Sequence, residues 1–255
     1  MSEEPLIAVF VDFENLAIGV RDMDGGKFQI QLVLKRLLEK GRIVYKRAYC
    51  DWSNYRDALQ EFHAQGIELI DIPQSKISGK NSADIRMVVD GLDLCYSKQH
   101  IDVFALISGD SDFSPLVSKL KENNKRVIGC GAKSSTSDLL IANCDEFIYY
   151  DDLIRVAKTA KTAKSATKQG KTKEDKKQEA INHVLEVVDS VGQDYDPLWG
   201  SMLKQAIRRV YPGFSEGYYG YQNFSDLLKD IESRQLIDLE YDDSRGNYKV
   251  RRRED

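Results

Sequence analysis

The feature that most constrains the fold is a set of six short apolar runs within the first 150 residues, each separated from the next by a more polar stretch. Most of these runs are near-continuous Val, Ile, Leu and Phe, which indicates strands that are covered on both faces. The predicted strands are residues 6–11, 43–49, 67–72, 103–107, 127–130 and 147–150. The predicted helices between them are residues 29–40, 54–65, 82–97 and 113–123. This alternation predicts an α/β fold, a mainly parallel sheet with helices on both faces.

A basic segment divides the 255 residues into two acidic blocks. Residues 155–177 hold nine Lys and Arg against two Asp and Glu, whereas residues 1–154 hold 18 against 24 and residues 178–255 hold 10 against 15. The segment has few large apolar side chains and cannot form a core, so we interpret it as a linker between domains at 1–154 and 178–253. Its positive charge favours binding to a polyanion such as nucleic acid. A linker that only increases solubility is the alternative.

The second block predicts a small winged-helix (α+β) domain. Helical patterns cover residues 178–190, 198–211 and about 221–233. Two short apolar runs follow, at 236–241 and 248–250, and the turn between them contains Gly246, as in a hairpin.

The cysteines and histidines exclude several kinds of site. The four cysteines form no C-x-x-C pair and the three histidines lie far apart, so there is no zinc-finger pattern and a disulfide framework is disfavoured. No run of about 18 apolar residues and no secretory signal is visible. The sequence therefore predicts a reduced cytoplasmic protein that does not span a membrane.

Acidic residues stand where two of the predicted strands end. Asp12 follows the first strand directly, and Ser108-Gly109-Asp110-Ser111-Asp112 follows the fourth. In parallel sheets, ligands bind at this edge of the sheet. Alternatively, Asp12 caps the next helix, and Asp112 is well placed as the cap of the helix that follows it.

A third acid lies at the start of the predicted helix 82–97. On a helical projection Asp84 shares a stripe with Val88, Gly91 and Cys95, which should face the sheet, whereas Asp90 and Asp93 should face solvent. A favourable interaction with the helix dipole would explain where Asp84 lies along the helix but not its inward direction.

Carboxylates that converge on one edge repel each other unless a cation is present. With no His or Cys nearby in sequence, the cation should be Mg²⁺ or Mn²⁺. The sequence contains no G-x-G-x-x-G, no complete P-loop and no G-x-S-x-G. The hydroxyls at 134–136 could lie near a phosphate, although an ordinary surface loop is the favoured interpretation.

The chain resembles the NYN family of PIN-like nucleases, in its LabA-like branch, over about residues 4–152. The resemblance is carried by VFVDFENL at 9–16, by Lys80 and Asp84 four positions apart, by ISGDSDF at 107–113 and by SDLLIANCDEF at 137–147. It implies a PIN-like fold and Mg²⁺- or Mn²⁺-dependent ribonuclease activity. The family's acidic positions are matched by Asp12, Asp84 and Asp110, and its flanking polar positions by Asn15, Ser108 and Asp112.

Residues 178–252 resemble an OST-HTH (LOTUS) domain, most clearly in FSEGYYGYQNFSDLL at 214–228. That family is a winged helix, and the resemblance implies binding to RNA, including G-rich folded RNA, or to protein partners. The candidate RNA contacts are Arg208 and Arg209, which lie in a basic cluster, and Tyr218, Tyr219 and Tyr221, which could stack bases. Core packing is the alternative for at least one of these tyrosines.

Together these observations predict a metal-dependent endoribonuclease with a C-terminal RNA-binding module. Asp12, Asp84 and Asp110 would hold the metal, Asp112 or Asn15 would orient the attacking water, and Lys80 would contact the phosphate. A non-catalytic RNA-binding adaptor with a vestigial acidic pocket is the main alternative, and a small-molecule phosphatase is a third. The RNA target, a protein partner and a homodimer stay open.

Overall fold

The computed structural model describes residues 4–21, 27–73, 81–164, 173–192 and 194–253. The chain forms two compact units, one built mainly from residues up to Lys164 and the other mainly from residues after it. Within the described residues, no helix is both long enough and apolar enough to cross a membrane. Lys80, the predicted phosphate contact, lies outside the described residues.

The first unit is built around a six-stranded parallel sheet. Its strands are β1 (Leu6–Asp12), β2 (Arg42–Cys50), β3 (Glu68–Asp71), β4 (Val103–Ile107), β5 (Arg126–Gly131) and β6 (Glu146–Tyr149). Its helices are α1 (Phe13–Gly19), α2 (Ile30–Lys40), α3 (Arg56–Ala64), α4 (Ser82–Ser97), α5 (Ser114–Glu122), α6 (Asp138–Asn143) and α7 (Tyr150–Lys164). The prediction of a parallel α/β fold is confirmed, and the fold is PIN-like.

The strand order is β3-β2-β1-β4-β5-β6, so β1 lies between β2 and β4. Side chains of β1 point alternately to the two faces, with Ile7 and Val9 in one apolar cluster and Ala8 and Phe10 in the other. The apolar runs were therefore correctly interpreted as strands covered on both faces. The register places Asp12 beside Tyr49 of β2.

Two short helices of this unit, α1 and α6, were not predicted, and the longer α7 covers residues 155–164 of the predicted linker. The seven-residue α1 and the six-residue α6 are too short to show a helical period in the sequence. Each begins at a side-chain cap, because the main-chain N–H of Asn15 donates to Asp12 and that of Leu139 donates to the hydroxyl of Ser137.

In its described residues, the second unit contains three helices and a small antiparallel sheet. The helices are α8 (Lys173–Val191), α9 (Gly200–Val210) and α10 (Phe224–Ser233), and the strands are β7 (Leu198–Trp199), β8 (Ile237–Asp242) and β9 (Asn247–Arg252), in the order β7-β9-β8. The helices and the hairpin that the sequence predicts are present. The predicted second helix starts two residues too early, because Leu198 and Trp199 pair with β9 instead. The predicted third helix starts three residues too early, because the Asn223 side chain caps α10.

The prediction for Asp90 was wrong, whereas Asp93 is exposed as predicted. Asp90 is only 9% exposed. Its Oδ2 accepts hydrogen bonds from the Tyr49 hydroxyl at 2.9 Å and from the Arg47 guanidinium at 3.0 Å, and its Oδ1 accepts one from Arg86 at 2.9 Å. Asp90 therefore lies on the buried face of α4, because the Tyr49 and Arg47 side chains of β2 donate hydrogen bonds to its carboxylate there.

We expect Asp90→Ala to lower the free energy of unfolding by about 2–4 kcal/mol, because it leaves the buried Tyr49 hydroxyl without its acceptor and the Arg47 guanidinium with one carboxylate fewer. Asp93→Ala, on the exposed side of the same helix, is the matched control and should change stability by less than about 0.5 kcal/mol. Urea denaturation measures both. Equal losses in the two variants would contradict the structural role of Asp90.

Candidate active site

The site lies at the carboxyl ends of β1 and β4, where the strand order reverses. Asp12 ends β1 and is 6% exposed. Its Oδ2 accepts a hydrogen bond from the Ser108 hydroxyl at 2.8 Å, and its Oδ1 accepts one from the Asn15 main-chain N–H at 3.3 Å. Asp12 therefore caps α1, as the structural alternative predicted, and the same carboxylate also reaches the loop after β4.

Asn15 and Ser108 join the two strand ends. The Oδ1 atom of Asn15 accepts a hydrogen bond from the Gly109 N–H at 2.9 Å. The Ser108 hydroxyl, which donates to Asp12, also accepts a hydrogen bond from the Asp110 N–H at 3.1 Å. Side chains that are 94 and 96 positions from their partners are thus held in one hydrogen-bonded set.

Asp110, not Asp112, caps the turn that follows β4. The Oδ1 atom of Asp110 accepts a hydrogen bond from the Asp112 N–H at 2.9 Å, which opens a single 3-10 turn at Ser111–Phe113. The capping role that the sequence predicts for Asp112 was therefore wrong. Asp112 lies exposed on this turn.

A loop at residues 132–137 supports the strand end from outside. A Cβ atom at position 109 would lie 2.7 Å from the carbonyl oxygen of Ser135, so this close approach requires glycine. The Gly109 carbonyl accepts a hydrogen bond from the Ser137 N–H at 2.9 Å. The hydroxyls of Ser134 and Thr136 donate to main-chain carbonyls. The loop therefore supports the turn at Gly109, and these contacts favour the surface-loop interpretation of its hydroxyls.

Asp84 reaches the same site from the first turn of α4. Burial raises its pKa to about 6, and the charges of Asp110, Asp112 and Glu14 add to this effect. Asp84 is half-buried at the start of the helix. Glu14 was missed as a site residue. Its position two residues after Asp12, next to Asn15, is the sequence signal that could have identified it.

Asp12 carries the larger electrostatic penalty. The pKa of its carboxyl is raised to about 7. Burial is the largest cause and the nearby charges of Asp84 and Asp110 also raise the pKa, whereas the hydrogen bonds from Ser108 and Asn15 lower it. The predicted carboxylates therefore do influence one another electrostatically, as the arrangement of strand ends predicts.

The chemistry of these groups fits a hard divalent cation. The interacting groups are carboxylates, and a positive charge among them would relieve the repulsion that raises their pKa values. Among the described residues, no group of three or more His, Cys, Asp and Glu side chains is already arranged to hold a metal ion.

The candidate RNA contacts of the second unit differ in accessibility. Tyr219 and Tyr221 are buried in the apolar cluster of this unit, so base stacking is not available to them, whereas Tyr218 is exposed. The Arg209 guanidinium is engaged in hydrogen bonds to main-chain carbonyls. Arg208 is more than half exposed and lies 3.8 Å from Glu216. Of the five candidates, Tyr218 and Arg208 present the most accessible side chains.

Comparison with known proteins places the first unit in a family. The family model described as NYN domain matches residues 6–153. An uncharacterized protein of Methanocaldococcus jannaschii is 31% identical over 137 residues, which are 54% of this chain and 52% of that protein, so the chain spans about half the length of this curated relative. The crystal structure of a protein of unknown function from Vibrio parahaemolyticus is similar with a TM-score of 0.53 and 27% identity, over 60% of this chain and 97% of that one.

We expect Asp12→Asn to stabilise the metal-free protein at pH 8 by about 1–3 kcal/mol. The pKa of Asp12 rises from the ordinary 3.8 to about 7, so the folded chain holds the proton more tightly than the unfolded chain does. Stability is therefore lost as the pH rises through this range, and the full penalty is present above pH 7. At pH 5 the Asp12 carboxyl of the folded wild type is mostly protonated and uncharged, like asparagine. The gain in stability from Asp12→Asn should therefore be smaller at pH 5 than at pH 8.

Urea denaturation of the wild type and the variant at both pH values measures this difference. Asp112→Asn, the same substitution on the exposed turn, is the control and should change stability by less than about 0.5 kcal/mol at either pH. A gain that is the same at pH 5 and pH 8 would contradict the raised pKa of Asp12.

Proposed function

The chain belongs to the NYN domain family, and we propose that it is a metal-dependent endoribonuclease that hydrolyses RNA phosphodiesters. NYN domains are typically ribonucleases, and the fold and the site both belong to the matched part of the chain. The observation that carries the proposal is the hydrogen-bonded junction of Asp12, Ser108 and Asp110, together with the raised pKa of Asp12, to which the charges of Asp84 and Asp110 contribute.

Asp12, Asp84 and Asp110 are the residues that would hold the ion, Mg²⁺ or Mn²⁺. Such an ion neutralises negative charge on the phosphodiester and makes a water more acidic. The protein's part is to keep the carboxylates in position. Ser108 does this for Asp12, and its own orientation is set by the N–H of Asp110.

The flanking polar groups complete the proposed site. Because the Gly109 N–H is bonded to Oδ1 of Asn15, the amide is held in one orientation, and its Nδ2 is placed to donate to a substrate phosphate oxygen. Asp112, exposed on the turn, is placed to accept a hydrogen bond from the water that attacks phosphorus in line.

The second unit supplies RNA affinity in this proposal. We assign residues 1–154 to the nuclease domain of the LabA-like branch and 178–253 to an OST-HTH (LOTUS) winged helix. Residues 155–177 are the basic linker, whose two ends are helical because α7 runs to Lys164 and α8 begins at Lys173. Lys176 supports this role, because its Nζ lies 4.6 Å from the centre of the exposed Tyr218 ring and so places a cation beside a stacking surface. The four free cysteines are consistent with action in the cytoplasm.

We expect Mn²⁺ to support cleavage of labelled RNA and EDTA to abolish it. Asp110→Asn should lower the cleavage rate by at least about 100-fold and leave the Kd for RNA within about 3-fold, because catalysis and docking use different residues. Mn²⁺ should also raise the Tm of the wild type by binding only the folded state, and the Asp12→Asn, Asp110→Asn double variant should lose that rise.

Asp57→Asn, on the exposed first turn of α3 and outside the acidic cluster, is the control and should keep full activity. Cleavage that survives in purified Asp110→Asn protein would show that the site is wrong. RNA binding by a wild type that neither cleaves RNA nor responds to Mn²⁺ would favour the non-catalytic adaptor.

We expect Tyr218→Ala in the full chain to weaken RNA binding by about 5- to 50-fold, through the loss of one stacked base. Tyr241→Ala removes another exposed tyrosine of the same unit and should leave the Kd nearly unchanged. Fluorescence anisotropy with single-stranded, duplex and G-rich folded RNA, at several salt concentrations, measures both variants. Equal affinity of the wild type and Tyr218→Ala for all three RNAs would contradict this contact.

A further inference from the structure

The outer face of α4 carries an apolar stripe that the nuclease site does not use. Ile85, Val89 and Tyr96 are 63%, 55% and 58% exposed, and the half-buried Leu92 lies between them. At 100° per residue these four side chains fall within about 60° of one another on the helix. A helix of a globular domain normally presents polar residues on its outer face, so a continuous apolar stripe indicates an interaction surface.

The spacing of the stripe permits a second copy of the chain as its partner. When α4 is laid antiparallel against a copy of itself, one register places Ile85 against Tyr96 of the partner subunit and Val89 against Leu92 of the partner subunit. Both pairs are centred on the same point of the helix, between residues 90 and 91. A two-fold interface requires this kind of self-complementarity, whereas a different partner does not.

The charges beside the stripe follow the same symmetry. Arg86 and Asp93 lie on one flank of the stripe. The Nε of Arg86 donates to Asp90 of the same helix, and about half of the Arg86 side chain is exposed. In the antiparallel register Arg86 falls within one helical turn of Asp93 of the partner subunit, so opposite charges meet twice in the dimer.

We propose that α4 is a homodimer interface, in which two copies of this chain pack the stripe of Ile85, Val89, Leu92 and Tyr96 antiparallel around a two-fold axis. The helix has 16 residues and a length of roughly 24 Å, and one helix per copy offers less area than a standard interface. We therefore expect a weak dimer whose population depends on protein concentration. The proposal does not depend on the nuclease activity, because the stripe lies on a different face of α4 from Asp84.

Sedimentation equilibrium of the full chain measures the association directly. The wild type should form dimers at roughly 100 μM, and Val89→Glu should raise the dimer Kd by at least about 100-fold, because two unpaired carboxylates would be buried at the centre. Val156→Glu is the matched control, since Val156 is also an exposed helical valine (59%), and it should dimerise like the wild type. Thermal unfolding checks that both variants fold.

Cross-linking through single cysteine substitutions tests the register of the two α4 helices. In the proposed dimer the two copies of residue 89 lie about 4.5 Å apart along the helix axis, whereas the two copies of residue 85 lie ~16 Å apart. A short bismaleimide should therefore link Val89→Cys into dimers and leave Ile85→Cys and the wild type largely uncoupled. A wild type that stays monomeric at roughly 100 μM, equal dimerisation of Val89→Glu and wild type, or preferential linking of Ile85→Cys would overturn the proposal.

Discussion

The first unit depends on burying β1, a strand that needs partners along both edges and cover on both faces. Its residues from Ile7 to Val11 are fully buried, and it pairs with β2 on one side and β4 on the other. Because β4 follows β3 in the chain but lies on the opposite side of β1, the strand order reverses between β1 and β4 and opens a crevice at their carboxyl ends. The hydrogen bond between Ser108 and Asp12 forms there as a consequence of that pairing.

The crevice holds acidic groups at an electrostatic penalty. Burial and neighbouring carboxylates raise the pKa of Asp12, while a hydroxyl and a main-chain N–H lower it by solvating the charge. The net result of these effects is a pKa of about 7 for the Asp12 carboxyl, which is close to physiological pH. A fold selected only for stability would place an uncharged residue at such a position. The presence of a carboxylate with a raised pKa at this position therefore supports a functional interpretation of the site.

Helix α4 presents three different parts of its surface. Its first turn brings Asp84 to the crevice, and its inner face inserts Asp90 between Tyr49 and Arg47 of β2. Its outer face carries the apolar stripe. The charge of Asp90 is accommodated because three hydrogen-bond donors surround it, and a buried carboxylate without them would be strongly destabilising. The sequence shows all these residues, but it does not show which direction each one faces.

The sequence by itself determined the strands of the sheet, since long runs of Val, Ile and Leu between helical segments have no other common solution, and it placed Asp12 and Asp110 at strand ends. Only the tertiary structure decided what those ends contact. In the structure, Asp110 and not Asp112 caps the turn after β4. Tyr219 and Tyr221 are buried in the second unit, and Asp90 faces the interior. A periodic pattern reports the average direction of side chains around their own helix. It cannot report a hydrogen-bond donor on a distant strand, such as the Tyr49 hydroxyl of β2, whose bond to Asp90 stabilises that side chain in the interior.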